Sequence, residues 1–231
     1  PIERTEAAEQ FRTFTQRDGY GGCAILPFGG HFAPEYLSDE YFALYGEIVR
    51  EAREAGLVLS LYDEYGFPSG SMGAINGDEQ TVEKIVAAQA HHKKIDGHAP
   101  DLQGNDLNAY IAAGVYSDHE CSTVEDAIAK LERGQYIMIR EGTAARNLDA
   151  LLPLLTPQYY TYCMFCTDDK HPNDLLEKGH IDYIVKKAIS LGADPITAVK
   201  VACHNAARYF LLNNRGGISP GYLADFVIID N

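Results

Sequence analysis

The sequence of 231 residues contains no apolar run of about 18 residues, so nothing in it predicts a segment that crosses a membrane. Basic residues are also scarce, with 19 lysines and arginines against 33 aspartates and glutamates and a formal net charge of −14. A charge of this sign repels phosphate backbones and anionic lipid. The composition therefore argues against nucleic acid as a partner and against binding to a membrane surface.

Cysteines are few, and the five present are odd in number and scattered along the chain. A disulfide framework needs paired cysteines, so this usage is typical of a reducing compartment and predicts a cytoplasmic protein. The stretch CMFC at 163–166 has CxxC spacing but falls within a strand pattern, where alternate residues face opposite ways. A buried apolar role is favoured there over redox or zinc chemistry.

Short apolar runs alternate with amphipathic helical segments throughout the chain. The predicted helices include TEAAEQFRTFTQRDG, DEYFALYGEIVREAREAG with Ser38 before its first turn, and a pair around HIDYIVKKAISLG and DPITAVKVACHNAARYFL. Repeated strand–helix units predict an α/β fold with a parallel sheet, and polar residues recurring at strand ends favour a (β/α) barrel. An ordinary closed barrel has eight strands, so six indicate an incomplete or unusual barrel whose exposed edges favour pairing with a second copy. The six predicted strands are YGGCAILPF, LVLSLYDEYG, KKIDGHA, VYSDHE, YIMIREG and YTYCMFCTDD.

Three potential metal ligands follow predicted strands. These are His98 in IDGHAP, His119 in SDHE and Asp168 in FCTDD. Imidazoles and carboxylates are the ligands that a hydrolytic divalent cation requires, and a barrel brings such strand ends to one mouth. A single histidine at a strand end is more often a hydrogen-bonded structural residue. The recurrence on three strands favours a metal site.

Polar neighbours of these residues are candidates for catalysis or substrate binding. Glu120 is a proton carrier or substrate contact in one interpretation and a helix N-terminal acid in the other. Arg140 and Glu141, which end the strand YIMIREG, contact the substrate or pair with one another at the rim. Asp169, beside Asp168, is a further candidate for substrate binding.

Two acidic residues end an earlier strand, in the stretch SLYDEYGFPSG. Asp63 and Glu64 are a candidate carboxylate pair for glycoside hydrolysis, although neighbours on one strand point to opposite faces and make a poor pair. Glu64 is alternatively a further metal ligand. A structural role as turn acids remains open for both residues.

From about INGDEQTVEKIVAAQ to its end, the sequence closely resembles the adenine deaminases of the metal-dependent amidohydrolase superfamily. The likeness rests on the stretch from IDGHAPDLQGNDL to EGTAARNL, on FCTDDKHPNDLLEKGHIDYIV and on PGYLADFVIID. The resemblance implies a divalent transition metal (Mn, Fe or Zn) and hydrolysis of adenine to hypoxanthine and ammonia. It makes His98 and His119 metal ligands, and Asp168 both a ligand and the carrier of a proton from water to ammonia. By the same resemblance, Glu64 lies close in the sequence to the position at which the family has a glutamate metal ligand.

Residues 1–71 instead resemble the barrel of glycoside hydrolases that act on rhamnosides. The sequence thus predicts a chimera joined near 71–74, with a barrel-like domain at 1–213 and a remnant strand of a small β domain at 214–231. The family's HxH ligands do not occur anywhere in this sequence. Impaired deaminase activity is therefore expected. A rhamnoside hydrolase and a catalytically silent hybrid scaffold are the alternatives.

Overall fold

The computed structural model describes residues 4–17, 22–25, 38–61 and 79–228. The chain divides into two compact units, Pro1–Met72 and Gly73–Asn231. Its helices and strands follow in this order: α1 (Arg4–Gln16), β1 (Gly22–Ile25), α2 (Asp39–Glu54), β2 (Val58–Leu61), α3 (Glu79–Ala90), α4 (Gly104–Ala112), β3 (Ser117–Asp118), α5 (Val124–Leu131), β4 (Tyr136–Arg140), α6 (Leu148–Leu151), two 3₁₀ turns (Leu152–Leu154 and Tyr160–Tyr162), β5 (Cys163–Cys166), α7 (Pro172–Lys178), α8 (Ile181–Ser190), α9 (Pro195–Val199), a π-helical turn (Lys200–Asn205) and α10 (Ala206–Tyr209).

The described residues of the first unit form two helices and a two-stranded parallel sheet of β1 and β2. Helix α2 begins after Ser38, whose hydroxyl oxygen accepts a hydrogen bond from the N–H of Tyr41. This is the N-cap that its sequence predicts, because a serine oxygen satisfies one of the unpaired N–H groups of the first turn. Phe11 of α1 packs with Ile48 and Ala52 of α2 in a small buried core. Both helices confirm the sequence prediction.

The second unit contains a three-stranded parallel sheet in the order β3, β4, β5. The middle strand, β4, pairs with both neighbours. Ahead of β3, the chain makes one isolated parallel bridge between Ile95 and Val115. Because the strands are parallel, their carboxyl ends lie at the same edge of the sheet, which is where polar side chains can gather.

Alternate residues of β4 and β5 face two different layers. Ile139 and Cys163 face the main core, which is completed by α6, α8 and α9. Met138 and Met164 face Tyr209 of α10 on the other side. Burial raises the pKa of the Cys163 thiol to about 12, in agreement with a buried apolar role for CMFC. Burial on both faces explains why these parallel strands are continuous apolar runs.

The structure corrects several predicted strands. KKIDGHA contributes only the bridge at Ile95, because the Asp96 carboxylate accepts the N–H of Gly97 at 2.9 Å and so removes it from any ladder. VYSDHE is reduced to the two residues of β3, and the start of YTYCMFCTDD is a 3₁₀ turn. The tail at 214–231 forms no strand within its described residues. The sheets of two and three strands are the described part of the fold, and no closed barrel is formed there.

The region after β5 differs from the predicted pair of helices. An additional helix, α7, begins with Pro172 at its first turn, where the missing N–H of proline is harmless. The predicted helix over DPITAVKVACHNAARYFL is interrupted by the π-helical turn. Asn205 in that turn donates from Nδ2 to the carbonyl oxygens of Tyr160 and Cys163, at 2.7 and 2.9 Å. These bonds fasten the helices to the start of β5.

Several apolar side chains of the described C-terminal stretch are exposed. Ile218 is 99% exposed, and Val227 and Ile228 are each 85% exposed. Among the described helices, none combines the length and the apolar character needed to cross a membrane. Association through exposed sheet edges stays a prediction.

The main core of the second unit predicts a large difference between two leucines in neighbouring helices. Leu151 is fully buried, whereas Leu176 is 91% exposed. We expect Leu151→Ala to lower the free energy of unfolding by about 2–5 kcal/mol, because it removes buried methyl groups and leaves a cavity. Leu176→Ala is the matched control and should change it by less than about 0.5 kcal/mol. Urea denaturation measures both, and equal effects would contradict the described core.

Candidate metal centre

Five polar side chains gather at the carboxyl edge of the three-stranded sheet. His98 follows the isolated bridge, His119 and Glu120 follow β3, Arg140 is the last residue of β4, and Asp168 lies just beyond β5. Hydrogen bonds and ion pairs between their side chains join all five. The parallel pairing of the strands therefore brings together residues that are up to 70 positions apart in the sequence.

Two imidazoles and one carboxylate form a triangle of possible ligand atoms. Nδ1 of His98 lies 3.4 Å from Nε2 of His119. Oε1 of Glu120 lies 3.2 Å from the former nitrogen and 3.5 Å from the latter. Two nitrogens bound tetrahedrally to zinc at about 2.0–2.1 Å are about 3.3 Å apart. The three donor atoms therefore fit one divalent transition metal ion, and their partial burial keeps the site accessible.

Arg140 links this triangle to Asp168. Its Nη2 donates to Oε2 of Glu120 at 2.8 Å, and its Nη1 contacts Oε1 of the same carboxylate. Nη1 also donates to Oδ2 of Asp168 at 2.9 Å. Asp168 has a φ of 44°, in the left-handed region that aspartate adopts more readily than most residues. Asp168 is thus tied to the two histidines through a guanidinium shared with Glu120.

The charge of Arg140 is strongly favoured. Burial by itself lowers the pKa of Arg140, but the hydrogen bonds and negative charges of Glu120 and Asp168 outweigh it and raise that pKa above its usual value. Its Nε has no hydrogen-bond partner among the described residues. The Nη atoms of Arg140 are committed to carboxylates, so its predicted contact with substrate stays a prediction.

Glu141 leaves this cluster, although it is the next residue in the chain. Its carboxylate is buried and accepts from Nζ of Lys187 at 2.9 Å. Lys187 also binds Asp149. Neighbouring residues of an extended chain point to opposite sides, so the side chain that follows Arg140 faces α8. The structure thus pairs Glu141 with Lys187 rather than with Arg140, and its predicted contact with substrate stays a prediction.

Asp169 binds backbone rather than facing the cluster. Its two oxygens accept hydrogen bonds from the N–H groups of Thr143 at 3.1 Å, Ala144 at 2.9 Å and Ala145 at 3.2 Å. The approach requires glycine at position 142, because a Cβ on Gly142 would lie 1.7 Å from Oδ1 of Asp169. Asp169 therefore fixes the loop after β4 to the loop after β5, and its substrate-binding role stays a prediction.

One predicted metal ligand belongs to a part of the chain that is not described. Glu64 and its neighbour Asp63 lie outside the described residues. Their position relative to the two histidines therefore stays a prediction.

A second set of potential ligands is occupied by a lysine. Donor atoms of Asp118, Cys121 and Asp126 lie within 4.8 Å of one another and are buried. Nζ of Lys130 lies 2.9 Å from a carboxylate oxygen of each aspartate. Burial by itself lowers the pKa of Lys130, but the charge of Asp118 outweighs it and raises that pKa. This set is therefore an ion-pair cluster around an ammonium group.

Sequence patterns miss two residues that hold the cluster. Asn147 precedes a helix and would be taken for an N-cap, but its Nδ2 donates to the carbonyl oxygens of His119 and Cys121 at 3.3 and 2.9 Å. Its Oδ1 accepts the N–H of Arg140 at 2.7 Å. The hydroxyl of Tyr110 accepts the N–H of His98 at 3.1 Å. No spacing signal distinguishes these residues, because their partners lie in other loops.

Residues 71–231 match the amidohydrolase family. The matched region is well over half of the sequence and contains the whole cluster at the sheet edge. The chain belongs to the amidohydrolase family. Members of this family have a (β/α) barrel-type fold and, in the adenine deaminases, depend on a metal, and the parallel strands of the second unit are the described part of such a fold.

Relatives of this chain are named adenine deaminases. The protein from Kosmotoga olearia is 53% identical over 174 residues, which cover 75% of this chain and 30% of that protein. Those from Desulfatibacillum aliphaticivorans and Thermosipho africanus are 50% and 51% identical, over 74% and 75% of this chain and 30% of each protein. The chain thus spans about a third of the length of these relatives.

The likeness also begins earlier than the predicted join at 71–74. Residues 71–231 are about 70% of the chain, whereas 75% of it aligns with the Kosmotoga protein. At least some residues upstream of 71 therefore belong to the similarity. The relatives named above give no support to the rhamnosidase-like interpretation of the first segment, and the two compact units do not by themselves indicate two origins.

Asp174, on helix α7, predicts a pH-dependent contribution to stability. Asp174 accepts from Nζ of Lys178 at 2.8 Å and from Oγ1 of Thr143 at 2.7 Å. These bonds lower the pKa of Asp174 to about 2. The unfolded value is about 3.9, so the carboxylate stabilises the fold above about pH 4 and loses this effect as the pH falls toward 2.

We therefore expect Asp174→Asn to lower the free energy of unfolding at pH 6, by an amount that shrinks between about pH 4 and pH 2. Urea denaturation across this range measures the difference from wild type. Asp101→Asn, at an exposed side chain, is the matched control. A deficit in Asp174→Asn that stays constant down to the acid limit of folding would contradict the assignment.

Proposed function

We propose that the sheet-edge cluster binds a divalent transition metal ion (Mn, Fe or Zn) and serves the hydrolytic deamination of adenine to hypoxanthine and ammonia. The observation that carries this proposal is the 3.4 Å spacing of the His98 and His119 nitrogens. The names of the relatives supply the substrate. Because the chain covers 30% of those proteins, the activity of the whole protein is part of the proposal.

The metal would be held by His98 and His119, with Asp168 and Glu64 as further ligands by resemblance to the family. Glu120 offers an additional oxygen within reach of both imidazoles. A bound divalent cation supplies Lewis acidity, which allows water to act as a nucleophile at neutral pH.

Two carboxylates of this chain are placed for proton transfer. In the proposal Asp168 takes the proton of the attacking water and delivers it to the leaving ammonia. Glu120 acts beside it as a second proton carrier or as a contact to the purine ring. Arg140 binds both carboxylates, and its fixed positive charge orients them toward the same space. The proposed boundary of the substrate pocket is formed by Asp169, Glu141 and the Nε–H group of Arg140.

The proposed activity of this chain alone is low. Two imidazoles of the family's HxH pair are missing from its sequence, and each ligand contributes a substantial share of the roughly 10–16 kcal/mol typical of a complete structural zinc site. We also propose a cytoplasmic location and pairing of copies through sheet edges. No described residue favours the rhamnosidase-like alternative.

Metal titration tests the proposal directly. We expect the chain to bind Zn²⁺ or Mn²⁺ in calorimetry, and His98→Ala and His119→Ala to weaken binding by at least roughly tenfold, because each removes a donor atom. His91→Ala changes an exposed histidine and is the matched control. Equal affinity in all four proteins would contradict a metal centre at this edge.

Substrate assays complete the test. Ammonia release from adenine should be detectable only with added metal, and should fall to background in Asp168→Asn. Hydrolysis of an aryl rhamnoside is the counter-assay for the alternative enzyme. Hydrolysis of the aryl rhamnoside without release of ammonia from adenine would overturn the deaminase proposal.

A further inference from the structure

Lys130 lies in the interior of the second unit, with no exposed surface. Its ammonium group donates to three different segments. Nζ lies 2.7 Å from the carbonyl oxygen of Ala99, 2.9 Å from Oδ2 of Asp118 and 2.9 Å from Oδ2 of Asp126. The three donors of a lysine are thus matched by three oxygen acceptors.

Two of these partners are sequence neighbours of the candidate metal ligands. Ala99 directly follows His98, and Asp118 directly precedes His119. Oδ1 of Asp118 also accepts the N–H of Ala99 at 2.9 Å. Ala99 is therefore held at both its N–H and its carbonyl group, once by Asp118 and once by Lys130.

The described backbone hydrogen bonds do not join the two segments at the histidines themselves. The chain segments that carry them pair through the isolated bridge of Ile95 with Val115 and through the bond from the N–H of Tyr116 to the carbonyl oxygen of Ile95, at 3.0 Å. Both contacts lie at least three residues before the histidines. Beyond them, the described links between the two segments run through side chains. Ser117 donates to Asp96, and Asp118 and Lys130 hold Ala99 where the chain turns toward the cluster.

We propose that Lys130 is a positioning residue, whose buried ammonium holds the segments of His98 and His119 at the spacing of two ligands to one metal. The holding role stands on the hydrogen bonds alone, whereas its consequence for metal binding rests on the proposed function. A buried ion pair adds little net stability compared with apolar residues of the same shape. Its worth here lies in fixing the relative position of two loops.

Lys130→Met tests this role, because methionine keeps the length of the side chain and removes the charge and its donors. Lys187→Met is the matched control, since Lys187 also bridges two carboxylates, one of them the buried Glu141. The described ion pairs of Lys187 are with Glu141 and Asp149, and neither of these residues belongs to a histidine segment. Circular dichroism is the check that both variants fold.

Hydrogen exchange gives a readout that needs no metal. In Lys130→Met, the amide of Ala99 should lose protection by roughly tenfold relative to wild type, because the segment around it is released. In Lys187→Met any loss at Ala99 should follow that of the core amides of β4. Equal losses at Ala99 in the two variants would mean a general effect on stability and would overturn the proposal.

Cobalt binding gives the second readout. We expect Lys130→Met to bind Co²⁺ about 10- to 100-fold more weakly than wild type, as for other residues that orient metal ligands, with shifted visible absorption bands. Lys187→Met should keep both the affinity and the bands. Wild-type affinity and bands in a folded Lys130→Met would overturn the proposal. If wild type itself binds no Co²⁺, the proposed metal function fails, while the exchange of Ala99 still decides the role of Lys130.

A milder variant covers the case in which Lys130→Met does not fold. Asp126 touches Lys130 and belongs to α5 rather than to either histidine segment. Asp126→Asn weakens the hold on Lys130 without changing the shape of the side chain. It should move Ala99 exchange and Co²⁺ affinity in the same direction by a smaller amount. A folded Asp126→Asn with wild-type values for both would overturn the proposal.

Discussion

The candidate site depends on the parallel pairing of β4 with β3 and β5. Parallel strands end at the same edge of a sheet, so a chain that pairs them gathers the residues that follow each strand. Burial on both faces makes these strands apolar, and polar side chains are admitted only where the strands end. His119, Arg140 and Asp168 lie at one edge for this reason, although helical segments separate them in the sequence.

Charge balance organises the edge once the strands have formed it. Glu120 and Asp168 both carry negative charge and repel each other. Arg140 lies between them and forms an ion pair with each, which offsets the repulsion. A metal ion held by His98 and His119 would add positive charge beside the same carboxylates. Glu120 therefore stays close to the imidazoles in the folded chain, and Asp168 is joined to Glu120 through Arg140.

Much of the helical structure and the location of the site could be predicted from sequence. The N-cap at Ser38 and the apolar stripes of α2 and α8 follow from local propensities, which are decided within a few residues. Histidine and aspartate at the ends of predicted strands also indicated the sheet edge at which the candidate residues gather. Strand lengths were overestimated, because a strand exists only where a neighbour completes its hydrogen bonds. The segment at Gly97 shows this, since its N–H is taken by Asp96.

The sequence by itself determined the class of fold, the family likeness and the residue types that can bind a metal, because periodicity and strand-end chemistry are local properties of the chain. Only the tertiary structure decided which of these groups meet. It paired Glu141 with Lys187, turned Asp169 to backbone N–H groups, and buried Lys130 between two aspartates. Those partners come from distant segments, and a contact between distant segments is fixed by packing and electrostatics in the folded chain rather than by spacing along it.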